Sequence, residues 1–155
     1  MSAESSHVII VGAGPAGAVL ANFLATRGIR VTLLERQSDF AREFRGEAIA
    51  PAGRAVLRAL DMDDVLDRVP HADPSVFELF VKRERLLHLT AQDLGADVEL
   101  PRVYSQPALL EAIVGETTKR TNLVFERGAS VKELLRENGR VVGVRVRNAE
   151  GERRL

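Results

Sequence analysis

No cysteine occurs among the 155 residues, which excludes disulfides, thiolate catalysis and cysteine-based metal sites from this chain. Neither sign of charge is in surplus. The 22 Lys and Arg balance 22 Asp and Glu, so nothing in the composition points to nucleic acid or an anionic lipid surface. The histidines His7, His71 and His88 are scattered without metal-ligand spacing and read as surface or structural residues. There is no internal repeat, low-complexity segment, catalytic triad or carboxylate dyad. Apolar residues make up 45% and charged residues 28%, ordinary for a globular domain with a sizeable core.

The informative segment runs from Val8 to Glu35. Val8, Ile9, Ile10 and Val11 suit a strand buried on both faces. Gly12, Gly14 and Gly17 follow with the spacing G-x-G-x-x-G, which fits a dinucleotide-binding turn. In that reading Gly12 permits the tight bend, Gly14 lets a pyrophosphate approach the backbone, and Gly17 lets the helix pack close to the strands. The anion is held by free N–H groups and the positive end of the helix dipole. The context strengthens the glycine pattern. Pro15 suits a first helical position, Ala21 and Leu24 continue the inner helix face, and Gly28 suits the helix C-terminus. Val31, Leu33 and Leu34 supply a second strand closed by Glu35. Glu35 lies 35 − 17 = 18 residues past the last glycine; the expected distance to a ribose-binding acid is roughly 20. It would accept hydrogen bonds from ribose hydroxyls and repel a 2′-phosphate.

The uncharged run from Val8 to Ala25 approaches the length of a membrane span and lies where a signal peptide would. Gly12, Gly14, Pro15 and Gly17 break it early, Asn22 is polar, and residues 1–7 carry Glu4 but no Lys or Arg. The expectation is a cytoplasmic nucleotide-binding unit with no membrane span.

Further on, residues 36–47 read as a loop, or as a short helix and a loop. Pro51 opens an amphipathic helix with Ala55, Val56, Leu57 and Leu60 on one side. Residues 61–69 suit a second short helix capped by Asp61 or Asp63. Asp73-Pro74 marks a turn. Residues 76–81 alternate, with Phe77, Leu79 and Val81 on one face, and pair with the Leu86–Leu89 segment as a hairpin whose charged turn is solvated. Residues 91–101 read as a loop. Ser105-Gln106-Pro107 starts a helix that buries Leu109, Leu110, Ile113 and Val114. Leu123–Glu126 suits a third parallel strand. Residues 129–155 suit a three-stranded antiparallel meander with an Asn138-Gly139 hairpin turn, cut off within its last strand, with Arg153 and Arg154 on an exposed edge.

Several features together resemble the FAD-dependent monooxygenases of the para-hydroxybenzoate hydroxylase type. They are the GAGPAG turn, Glu35-Arg36, the Arg42/Arg45 loop with FRGEAIAP, and the YSQPALL helix start at Tyr104. The resemblance covers nearly the whole chain and implies an α/β, Rossmann-like FAD-binding fold: a parallel sheet plus the meander, in one domain over residues 1–155, with residues 76–101 an excursion toward the substrate-side sheet. It implies that Gly12, Ala13, Gly14, Pro15, Ala16 and Gly17 hold the FAD pyrophosphate. Glu35 would bind the adenosine ribose, with Arg36 beside the adenine end. Arg45 would contact the phosphate or ribityl region, and Gln106 would reach the FAD chain. For the full enzyme it implies NAD(P)H as electron donor and transfer of one oxygen atom from O2 to a small, often aromatic substrate.

Family members run to several hundred residues and carry later segments that complete the flavin pocket. The chain is therefore expected to be an N-terminal portion, inactive alone, and prone to self-associate or to join a complementary fragment. No catalytic residue can be named within it. Alternatives are a flavin-dependent halogenase or polyprenyl reductase of the same superfamily, a classical NAD(P)-binding dehydrogenase domain, and a non-catalytic nucleotide-binding fragment.

Overall fold

The computed structural model describes residues 6–41, 46–94 and 100–155. The chain forms β1 (His7–Val11), α1 (Pro15–Thr26), β2 (Arg30–Leu34), β3 (Gly46–Ile49), α2 (Pro51–Arg58), α3 (Asp63–Arg68), β4 (His71–Ala72), β5 (Val76–Val81) and β6 (Glu84–Thr90). It continues with α4 (Ala91–Leu94), β7 (Arg102–Ser105), α5 (Gln106–Thr117), β8 (Leu123–Glu126), β9 (Ser130–Glu137), β10 (Arg140–Asn148) and β11 (Gly151–Arg154). Two compact units emerge: Met1–Arg42 with Leu110–Leu155, and Glu43–Leu109.

The first unit is built on a parallel sheet of order β1-β2-β8, as the apolar runs imply. Its buried strand is β2, where Val31, Thr32, Leu33 and Leu34 are all inaccessible. β1, expected to be buried on both faces, buries only Ile10, and Val11 is 57% exposed. The cause is position: β2 has strand neighbours on both sides, whereas β1 pairs with β2 alone among the described residues. Helix α1 opens with Pro15 and buries Ala18, Ala21, Asn22 and Ala25. Small residues on that face let it lie close to the sheet. Gly28 takes φ +76° just past its end, the conformation that suits glycine there. The Asn122 side chain donates to the carbonyls of Ala25 and Ile29, tying the start of β8 to the end of α1.

The meander forms as expected, in the order β11-β10-β9. Asn138 and Gly139, at φ 49° and 78°, make its first turn, which matches the twist of the flanking strands. One face packs on the parallel sheet: Ala129, Val144 and Val146 cluster with Leu34, and Ile9, Val131 and Leu155 lie against them.

The second unit carries an antiparallel sheet of order β3-β7-β4 and the separate hairpin β5–β6. Strand β3 begins within the stretch read from sequence as loop, and β7 lies on residues 102–105, where the sequence reading placed no strand. Each has four residues, too few for an alternating pattern to stand out. Helix α2 buries only Leu57, and Val56 is exposed, so the broad apolar face read from sequence is narrower in the fold. Helix α3 has Met62, not an aspartate, at its N-cap. Asp61 instead occupies a left-handed position (φ 57°), and Asp63 accepts from Arg58 Nε at 3.0 Å. The short helix α4 lies where a loop was expected. Thr90 and Asp93 form a reciprocal cap: Asp93 Oδ2 accepts from Thr90 N at 2.7 Å, and Thr90 Oγ1 accepts from Asp93 N at 3.3 Å. The hairpin turns through Lys82 and Arg83, both at positive φ. Its apolar residues do not sort into an inside and an outside, for Phe77, Leu79, Phe80 and Leu86 are all exposed.

Candidate functional site

The glycines divide the work as their spacing implies. Gly12 sits at φ +100°, which favours glycine, and donates its N–H to Leu34 O at 2.7 Å. A Cβ on Gly17 would lie 1.9 Å from the Gly12 carbonyl oxygen, so only glycine lets α1 approach the turn this closely. A Cβ on Gly14 would meet nothing within 4 Å. The bare face of Gly14 therefore opens outward, where a ligand would lie against the backbone.

Gly14 is also the N-cap of α1 and has no side chain with which to cap it. The first-turn N–H groups of a helix have no intrahelical partner, and the dipole adds partial positive charge there. No acidic residue stands in that turn. The site is thus built for an anion and fits a diphosphate.

Glu35, directly after β2, is 5% exposed, and its carboxylate reaches back to the turn. Oε2 accepts from Ala13 N at 2.9 Å, and Oε1 accepts from Gln37 N at 3.0 Å. The acid read from sequence as a ribose acceptor therefore also holds the glycine turn. Each carboxylate oxygen can accept more than one hydrogen bond, so these contacts are compatible with sugar recognition.

Gly12, Gly14, Glu35 and Arg36 line one cleft of about 400 Å³. Ala129, Ser130 and Val131 complete its wall, a contribution that sequence reading missed. They carry no motif; only the pairing of the meander with the sheet brings them there. The loop after Glu35 is pinned to the same segment, with Gly128 N donating to Gln37 O and Ala129 N to Glu35 O. Arg127 braces this corner. Its guanidinium lies 4.7 Å from the Phe40 ring centroid and 5.1 Å from that of Phe125. It also donates two hydrogen bonds to Glu111, at 2.8 and 2.6 Å, and these raise its pKa.

Arg42 and Arg45 lie outside the described residues. Gln106 belongs to the second unit, as the first residue of α5. Its Nε2 donates to Glu47 Oε2 at 2.6 Å. Elsewhere in that unit Arg102 donates to Asp73 and Asp67, an arrangement that reads as structural. No group of three or more His, Cys, Asp or Glu among the described residues could hold a metal ion. No helix among them is long and apolar enough to cross a membrane.

The FAD binding domain family matches residues 5–155. The chain belongs to that family. Membership selects FAD over the nicotinamide alternative, and the open glycine turn, the uncapped helix and the buried acid suit that cofactor. This FAD-binding domain is 31% identical over 149 residues to squalene epoxidase 4 of Arabidopsis thaliana, covering 96% of this chain and 29% of that protein. It is 31% identical over 144 residues to 6-methylpretetramide 4-monooxygenase of Streptomyces rimosus, covering 92% of this chain and 34% of that protein. The crystal structure of p-nitrophenol 4-monooxygenase from Pseudomonas putida shares the fold, with TM-score 0.77 and 22% identity over 97% of this chain and 39% of that one. The FAD-binding domain thus spans about a third of the length of the curated relatives it matches.

Proposed function

We propose that this domain is the FAD-binding part of a flavin-dependent monooxygenase that uses NAD(P)H and O2 on a small substrate. The observation that carries the reading is the open, uncapped glycine turn latched by Glu35. The relatives named above, two of them monooxygenases by name and one a squalene epoxidase, support the oxygenase class. In this reading the first-turn N–H groups beside Gly14, Ala16 and Gly17 bind the diphosphate, and Pro15 sets the helix start. Ala13 N–H orients the Glu35 carboxylate, which takes the ribose hydroxyls. Arg36 flanks the adenine end, and Arg45 and Gln106 meet the chain that leads to the flavin. Bound FAD would supply electron transfer and oxygen activation; the protein supplies position and electrostatics.

The test is isotopic. The enzyme containing this domain, supplied with NAD(P)H and 18O2, should place one labelled oxygen atom in its product. Label arriving from water, or none, would overturn the oxygenase assignment.

The exposed apolar side chains of Phe77, Leu79, Phe80 and Leu86 support self-association, or association with a complementary fragment, when the chain is isolated. Light scattering should then report oligomers; a monodisperse monomer would contradict this.

A further inference from the structure

Tyr104 is the sole tyrosine of the chain and is 1% exposed. Its hydroxyl is the one buried side-chain polar atom without a hydrogen-bond partner among the described residues. A buried O–H left unpaired is costly, so the group calls for an acceptor. Its ring packs on His71, with centroids 5.6 Å apart. Tyr104 also lines a cleft of about 270 Å³ within the second unit, together with Arg54 and Arg58 of α2, Asp63 and Asp67 of α3, and Arg102 of β7. Arg58, Asp63 and Asp67 are its exposed members, whereas Arg102 and Tyr104 lie deep.

The lining gives the cleft a sign. Three arginines stand against two aspartates. Both carboxylates already accept, Asp63 from Arg58 Nε at 3.0 Å and Asp67 from Arg102 Nη1 at 3.1 Å. Arg58 donates through Nε alone among the described residues, so its two terminal NH2 groups keep their donors. The unused groups are thus an O–H and a guanidinium fork, which suit the oxygens of an anion. A cation would meet the surplus positive charge.

We propose that this cleft binds a small oxyanion, a carboxylate or phosphate group, with Tyr104 Oη donating at its inner end and Arg58 donating at its mouth. The proposal is independent of the FAD reading.

The chain has no tryptophan, so its ultraviolet emission reports on Tyr104. The full chain, free of FAD, is titrated with sodium phosphate and, separately, sodium acetate, with sodium chloride holding the ionic strength constant. The expected result is a saturable change in Tyr104 emission with one or both anions; the stronger binder identifies phosphate or carboxylate as the preferred group. Arg58→Gln should weaken that binding by about tenfold or more, the effect of one charged hydrogen bond. Tyr104→Phe removes the reporter, so thermal unfolding reads it instead. The bound anion should raise the wild-type midpoint by mass action, and Tyr104→Phe should lose most of that rise. Anion held at the glycine turn would stabilise wild type and both variants alike. No saturable emission change with either anion, a response unaltered in Arg58→Gln, or an equal midpoint rise in Tyr104→Phe would overturn the proposal.

Discussion

The carboxylate of Glu35 accepts the backbone N–H of Ala13 at 2.9 Å, across 22 residues of sequence, in a buried setting. The strand-end acid and the glycine turn are therefore one device, and neither can be altered alone. Glu35→Ala would leave the Ala13 and Gln37 amides without their acceptor, lowering stability by about 1–3 kcal/mol. Glu35→Gln keeps the shape but can turn an NH2 group toward one of the two amide donors, and should lose about 1 kcal/mol. Urea unfolding of both variants checks the order, and FAD affinity should fall in both.

Gly14 and Gly17 should separate binding from folding. Gly17→Ala drives a methyl group into the Gly12 carbonyl and should destabilise the domain by about 1–3 kcal/mol. Gly14→Val projects into open space and only replaces a good N-cap residue by a poor one, so stability should fall by no more than about 1 kcal/mol. FAD affinity in that variant should drop at least about tenfold, a loss of roughly 1.4 kcal/mol in binding. An unchanged FAD titration in Gly14→Val would count against placing the diphosphate here.

Arg127→Met should remove the paired hydrogen bonds to Glu111 and the stacking on Phe40 and Phe125. Glu111 is half exposed, so the expected loss is only about 1 kcal/mol. Arg127→Lys keeps the charge but not the planar fork and should recover part of it. Thermal unfolding of the two variants tests the ranking.

The legibility of this chain followed the length and regularity of its signals. The G-x-G-x-x-G turn, the Asn138-Gly139 hairpin and the Leu109–Val114 face each depend on local chemistry and could be read directly. Strands β3 and β7 were hidden because four residues offer two per face. The cap of α4 was legible in principle, since Thr90-Ala91-Gln92-Asp93 has the capping-box spacing. In the site, Glu35 could be located but its latch could not, because the partner is a backbone amide with no sequence signature. Ala129 to Val131 line the cleft through tertiary packing alone. The exposure of Phe77 and Phe80 defeats the alternation rule, because nothing within their own unit covers either face among the described residues.

Acid should weaken the second unit through Asp73. Hydrogen bonding from Arg102 holds its carboxyl below the ordinary 3.8. A depressed folded-state pKa gives stability that is present above the unfolded value and lost as pH falls through the folded one. Stability should therefore decline below about pH 4, and Asp73→Asn should flatten that decline. Urea midpoints from pH 7 to pH 3 measure it; an equal slope in the variant would assign the acid sensitivity elsewhere.

A crystal structure of the FAD complex tests the central claim most directly. The expected result is diphosphate oxygens within hydrogen-bonding distance of the first-turn N–H groups beside Gly14, with the adenosine ribose on Glu35. A nucleotide seated away from that turn, or a turn closed over by side chains, would contradict it.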